Sequence, residues 1–123
     1  MVSGLLEAGA TLDAVWDEDP CNVAAFRRRF PQARAAASLQ ELLQDPALQL
    51  IASAAVPADR GPLGLQVMAA GKDYFVDKAP FTTLEQLRAA RQAVRQTGRK
   101  YMVYYSERLH NEAAVLADLL IRR

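Results

Sequence analysis

The chain is poor in the residues that usually build reactive sites. Its 123 residues include one cysteine, Cys21, and one histidine, His110. A single cysteine excludes an intrachain disulfide and a multi-cysteine metal site, and it fits a reducing compartment. A lone histidine leaves no Cys/His pair, and no Gly-x-Ser-x-Gly elbow occurs. No metal site is expected, and His110 by itself reads as a helix-start residue rather than a catalyst. Charge of one sign is lacking too. Fifteen basic and fourteen acidic residues leave a net +1, so no bulk charge draws the chain to nucleic acid or to a membrane surface. The cluster Arg27-Arg28-Arg29 is local and reads as a solvated helix face. Long apolar runs are missing: Leu48 to Pro57 is too short and too interrupted to span a bilayer. The start, MVSGLLEAGATLD, has no basic residue and no long apolar region, so it does not read as a secretory signal. A cytoplasmic location is the expectation.

What is present is a globular balance, with 51% apolar and 24% charged residues. The length suits one domain over residues 1–123. Short runs rich in β-branched and aromatic residues alternate with longer segments of helical period. Ser3 to Ala8 is a helical piece closed by Gly9. Thr11 to Trp16 reads as a strand. Asp19 caps, and Pro20 opens, a helix to about Phe30 with Phe26 and Phe30 inward. Ala33 to Ala36 is a weak strand. Ser38, with Glu41 three residues on, forms a capping box. Leu48 to Val56, apolar on both faces, predicts a strand in the middle of a parallel sheet. Asp59 to Ala70 reads as a helix weakened in its first turn by Gly61, Pro62 and Gly64. Asp73 to Val76 is the next strand. Thr82 or Thr83 caps a helix to about Thr97, stopped by Gly98. Lys100 to Tyr105 is a strand, and His110 to Ile121 the last helix. A leading helix and five strand–helix units predict an α/β fold, a mainly parallel sheet with helices on both faces.

The chemistry-bearing residues stand at strand ends. Asp17 follows the first strand. In a doubly wound dinucleotide fold an acid there accepts hydrogen bonds from the adenosine ribose, and its charge repels the extra phosphate of NADP. Taken alone, Asp17 also fits a loop acid or a helix cap. In AAGKDYFVDKAPFTTLEQLRAA an apolar strand ends in Asp77-Lys78-Ala79-Pro80. Charged groups at a strand's carboxyl end, just before a helix, are where open α/β sheets keep ligands. A lysine there can give a hydrogen bond or a proton to a substrate oxygen. The bland alternative is an exposed Lys-Asp pair of little energetic weight. Glu107, Arg108 and His110 follow the last strand on the same edge.

Together these segments resemble the Gfo/Idh/MocA family, relatives of glucose-fructose oxidoreductase and inositol dehydrogenase. The matching features come in the family's order: the strand ending at Asp17, the strand ending AAVP, GKDYFVDKAP, the capped helix and YMVYYSERLH. Gly71 to Pro80 is similar to the family's GKHVxxEKP, with Asp77 for glutamate and Ala79 inserted before the proline. Tyr105 and Arg108 are similar to its Y-x-x-R. The resemblance implies a Rossmann-like doubly wound sheet and an NAD(P)-dependent oxidoreductase acting on a sugar, polyol or related hydroxy compound. It implies Lys78 as the catalytic lysine, near substrate and nicotinamide, and Asp77 near the nicotinamide ribose. Ala55, Val56 and Pro57 would border the cofactor, with Asp17 at the adenosine ribose, and Arg108 would bind substrate. Asp17 followed by Glu18 favours NAD, with NADP less suited. A small-molecule substrate is the expected partner.

Three departures qualify that picture. The family opens with a strand and a Gly-x-Gly-x-x-Gly loop that binds the pyrophosphate. This chain begins inside what would be the following helix, and Gly4 and Gly9 lack the fingerprint spacing. The absent strand is central in the order 3-2-1-4-5-6, so the strands ending at Trp16 and Val56 lose the neighbour between them. The family also continues into a substrate domain beyond the point matching Arg123. The third departure is at the family's P-N-x-x-H, where PADRGPLG leaves the histidine unmatched and Arg60 stands beside its place as a polar candidate. The expectation is a truncated nucleotide domain, inactive as the isolated chain. The alternative is a non-catalytic α/β scaffold or interaction module, whose open sheet edges would favour a homo-oligomer.

Overall fold

In the computed structural model, residues 1–105 are described, together with 112, 116, 119 and 120. The elements run α1 (Val2–Glu7), β1 (Ala14–Val15), α2 (Pro20–Arg29), β2 (Arg34–Ala35), α3 (Leu39–Gln44), β3 (Leu50–Ser53), α4 (Pro57–Ala69), β4 (Asp73–Asp77), α5 (Leu84–Thr97) and β5 (Tyr101–Tyr104). This is the expected alternation. Residues 112, 116, 119 and 120 are helical.

Helix boundaries follow local chemistry. The Asp19 side chain accepts from the Cys21 amide, and Pro20 opens α2. Phe26 and Phe30 are half-buried and stack on each other, 4.9 Å between ring centroids. Arg27, Arg28 and Arg29 are exposed, as a solvated face requires. The Ser38 hydroxyl accepts from the Glu41 amide. Glu41 reaches back past Ser38 to the Ala37 amide, 2.7 Å, so the capping box is shifted by one residue. Thr83, rather than Thr82, caps α5. Gly98 ends that helix in the left-handed conformation that glycine tolerates, φ +68°.

All strand pairs are parallel. They form two sheets, β1-β2 and β3-β4-β5. Among the described residues β1 and β3 do not pair. Two expectations change accordingly. The strand beginning near Leu48 lies at an edge of its sheet, and β4 holds the middle. Its four paired residues present Ile51 and Ser53 to the interior while Ala52 is exposed, so it is not covered on both faces. The strand expected from Thr11 to Trp16 shrinks to the two residues that β2 pairs.

The core lies on the face of the three-stranded sheet that carries Ile51, Tyr74 and Val76. Val67 from α4 and Leu42 and Leu43 from α3 complete it, with Ala14, Trp16 and Tyr101 packed around it. Helices α4 and α5 pack on each other. α4 lies close to the sheet because Gly64 has no side chain: a Cβ there would stand 2.4 Å from the Tyr101 ring and 2.8 Å from that of Tyr74. The glycine that seemed to weaken the helix is what lets it dock. Lys72 stitches the opposite end. Its buried ammonium donates to the carbonyls of Asp45 (2.5 Å) and Leu48 (2.9 Å), tying the start of β4 to the end of α3. No helix among the described residues is long and apolar enough to cross a membrane.

Candidate functional site

Parallel pairing aligns the carboxyl ends of β3, β4 and β5. Ser53 is level with Val76, and Asp77 with Tyr104. The segments leaving these strands therefore share one edge of the sheet. β4 is fixed there by two fully buried side chains, Tyr74 and Val76. Asp77 ends the strand, and its carboxylate accepts from the Lys78 amide, 2.9 Å. The Lys78–Ala79 peptide bond is cis. The Lys78 ammonium lies 5.9 Å over the ring centroid of Tyr105, within cation–π range. Both Asp77 and Lys78 are half-buried, open to a ligand yet anchored.

The segment after β3 lies alongside. The Ala55 amide donates to the Ser53 hydroxyl, 3.1 Å. Val56 is the N-cap of α4 and is exposed, while Pro57 is the helix's first residue. The link between the two segments is Arg60, in the first turns of α4. Its buried guanidinium donates to the Ala55 carbonyl at 2.6 Å, to Asp77 at 3.3 Å, to Ala79 at 3.2 Å and to the Lys78 carbonyl. The Tyr101 hydroxyl lies 3.3 Å from the Arg60 carbonyl and 3.2 Å from that of Pro80. Burial pushes the Tyr101 phenol well above its ordinary range, so it stays a neutral donor. Burial likewise raises Tyr74, against the pull of Ser53 and the Arg60 charge. The Tyr74 hydroxyl has no well-formed hydrogen bond among the described residues.

Asp17 belongs to the other sheet. Its Oδ1 accepts from the Asp19 amide at 2.9 Å and from Asn22 Nδ2 at 3.1 Å, so it orders the turn into α2. It also lines a cavity of about 610 Å³ with Trp16, Glu18, Arg27, Ala36 and Ala37, at the carboxyl ends of β1 and β2. Arg27 is held there by its Nε bond to the Ala33 carbonyl, 2.9 Å. No hydrogen bond among the described residues joins Asp17 to the Lys78 loop.

Of the residues singled out in the sequence, Ala55, Val56, Pro57, Asp77 and Lys78 share the carboxyl edge of β3 and β4, while Asp17 stands in a separate pocket. Arg108, like Glu107 and His110, lies outside the described residues. Sequence reasoning missed Tyr101, and it gave Arg60 no definite partner. The available signal was an arginine one turn into a helix that the apolar segment AAV immediately precedes. Among the described residues no group of three or more His, Cys, Asp or Glu could hold a metal ion.

A parallel α/β unit with an acid after one strand, a lysine after another and both at carboxyl ends has the layout of a doubly wound nucleotide-binding domain. The comparisons carry this further. Residues 4–105 match the model of the GFO_IDH_MocA oxidoreductase family, NAD-binding Rossmann fold, and the chain belongs to that family. No curated protein matches. Among solved structures, a candidate oxidoreductase from Erwinia carotovora atroseptica is 44% identical with a TM-score of 0.89, covering 100% of this chain and 37% of its own. An NAD-binding oxidoreductase from Klebsiella pneumoniae is 25% identical, with a TM-score of 0.77 and coverage of 91% and 29%. Biliverdin reductase from Synechocystis sp., solved with biliverdin and NADP+, is 25% identical, with a TM-score of 0.74 and coverage of 80% and 31%. The chain thus spans about a third of the length of these relatives.

Proposed function

We propose that this chain forms the nucleotide-binding part of an NAD(P)-dependent oxidoreductase in which Lys78 faces the substrate and Asp77 the nicotinamide ribose. The observation that carries this reading is the gathering of Ala55, Asp77 and Lys78 on one carboxyl edge by Arg60. Asp17 and its cavity suit the adenosine end, with NAD preferred over NADP. The pyrophosphate finds no matching cradle among the described residues, since no glycine-rich turn opens a helix there. The bound nicotinamide would supply the hydride chemistry. The chain's own part is to hold the Lys78 ammonium beside a substrate oxygen, where it donates a hydrogen bond or a proton, and to offer the Asp77 carboxylate to a ribose hydroxyl. The substrate class that the family points to is a sugar, polyol or related hydroxy compound.

Lys78→Ala in the whole oxidoreductase tests the reading. Such compounds are screened for NADH formation, with biliverdin, the ligand of the Synechocystis relative, included for NADPH oxidation. Turnover should fall by roughly a hundredfold or more, the usual size for a positioned proton-transfer group, while folding is nearly intact. A surface ion pair would instead leave turnover unchanged and alter stability by about 0–1 kcal/mol. Normal turnover in the mutant would remove Lys78 from the site.

A further inference from the structure

Arg60 is a buried cation whose guanidinium, in every hydrogen bond it makes among the described residues, meets main-chain carbonyls. Such a charge is costly to bury unless its donors are satisfied. Here the acceptors come from two separate segments. Nε takes the Ala55 carbonyl after β3, at 2.6 Å. Nη1, with two N–H donors, faces the three consecutive carbonyls of Asp77, Lys78 and Ala79 after β4 and shares its donors among them. Three successive carbonyls turned toward one point make a favourable place for a positive charge. Only a planar fork with several fixed donors can serve both sides at once, which a single ammonium on a flexible stem does not do. The Tyr101 hydroxyl, with its one proton, stands between the Arg60 and Pro80 carbonyls, and its ring packs on that of Phe81, 5.0 Å between centroids, on the far side of the same loop.

We propose that Arg60 is the positioning residue of the site: its guanidinium fixes the backbone at Lys78 against the strand end at Ala55, and so sets where the Lys78 ammonium meets a substrate. This deepens, and rests on, the reading of Lys78 as the substrate-facing lysine. Arg60 itself stays behind the loop, so its effect passes through the carbonyls it holds.

Trypsin reports on the loop directly, because release of the loop exposes the bond after Lys78 to cleavage. In Arg60→Met, cleavage after Lys78, followed by mass spectrometry of the folded chain, should rise about tenfold or more, the loop having lost its tether to the fold. Cleavage after Lys72 and Arg91 should keep the wild-type rate, and Arg60→Lys should fall between wild type and Arg60→Met. A general loss of stability would raise all sites together and overturn the proposal, as would an unchanged rate at Lys78. If Arg60→Met does not melt cooperatively, Arg60→Lys carries the test, and a wild-type rate there overturns it. In the whole oxidoreductase Arg60→Lys should lower kcat about tenfold with substrate KM changed less than about twofold, as expected for a displaced reacting group. Loss of turnover in Lys78→Ala with none in Arg60→Lys would overturn the role of Arg60 alone. Normal turnover in Lys78→Ala would overturn the lysine reading and leave the trypsin result standing.

Discussion

Gly64 occupies a position with no room for a side chain. The Tyr74 and Tyr101 rings meet edge to face, 5.1 Å between centroids, and α4 lies directly on them at this glycine. An alanine methyl would have to displace two rings, one of them fully buried. Gly64→Ala should destabilise the chain by about 1–3 kcal/mol, as overpacking does, despite alanine's better helix propensity. Urea denaturation measures it, and an unchanged midpoint would mean that the rings yield freely. Asp17 poses a different question at the same scale, because one carboxylate orders a turn and also faces a cavity. Asp17→Asn keeps an acceptor oxygen for the Asp19 amide and removes the charge. NAD should be preferred over NADP by the whole oxidoreductase, and Asp17→Asn should narrow the preference by about tenfold, or ~1.4 kcal/mol. Tighter binding of NADP by the wild type would remove the role given to Asp17.

Among the elements, α4 shows how a poor helix sequence is made good by its surroundings. Pro62 stands inside the helix and has no N–H for the carbonyl four residues back. That carbonyl, of Ala58, accepts instead from Gln86 Nε2 on α5, 3.2 Å away. Caps were legible because they are local: Asp19, Ser38, Thr83 and Gly98 each act within their own turn. Strand lengths were not legible, because a strand is as long as its partner allows and periodicity does not name the partner. α3 supplies a test at this scale. Arg34 pairs with Glu41 and, at 2.7 Å, with Asp45. The Ala37 amide, then Arg34, holds the Glu41 carboxyl below its ordinary range, and the Ala47 amide, then Arg34, does so for Asp45. Folded values below unfolded ones mean that the native state binds fewer protons. The stabilisation is therefore complete above the ordinary carboxylate range, about pH 4, and is lost as pH falls through the folded values. Melting temperatures should drop as pH is lowered from about 5 to 3, and the drop should be shallower in Glu41→Gln. An equal slope in both proteins would show that Glu41 carries none of it.

For the molecule as a whole, the order of elements and the grouping of Ala55, Asp77 and Lys78 at one edge could be read from the sequence, because parallel strand–helix units put every strand's carboxyl end on the same side. The tether at Arg60 could not, since it joins segments 17 to 19 residues apart through main-chain oxygens that carry no sequence signature. The same whole-molecule view bears on cofactor affinity. A dinucleotide is held largely by its pyrophosphate, which needs free amides at a helix N-terminus. Each of the longer helices among the described residues has its N-terminus engaged or negatively charged. Asp19 takes an amide of α2, Asp59 lies in the first turn of α4, and Thr83 with Glu85 occupies the start of α5. Carboxylates in these places compete with a phosphate for the same positive end. On the proposed reading, the cavity at Asp17 and the Lys78 edge would then act as separate weak sites with no anchor between them among the described residues. Calorimetry on the 123-residue chain should show NAD binding no tighter than about the millimolar range, roughly −4 kcal/mol. Micromolar binding would require a phosphate site on one of these helices, and substitution of Asp19, Asp59 or Glu85 by alanine would then show which helix holds it.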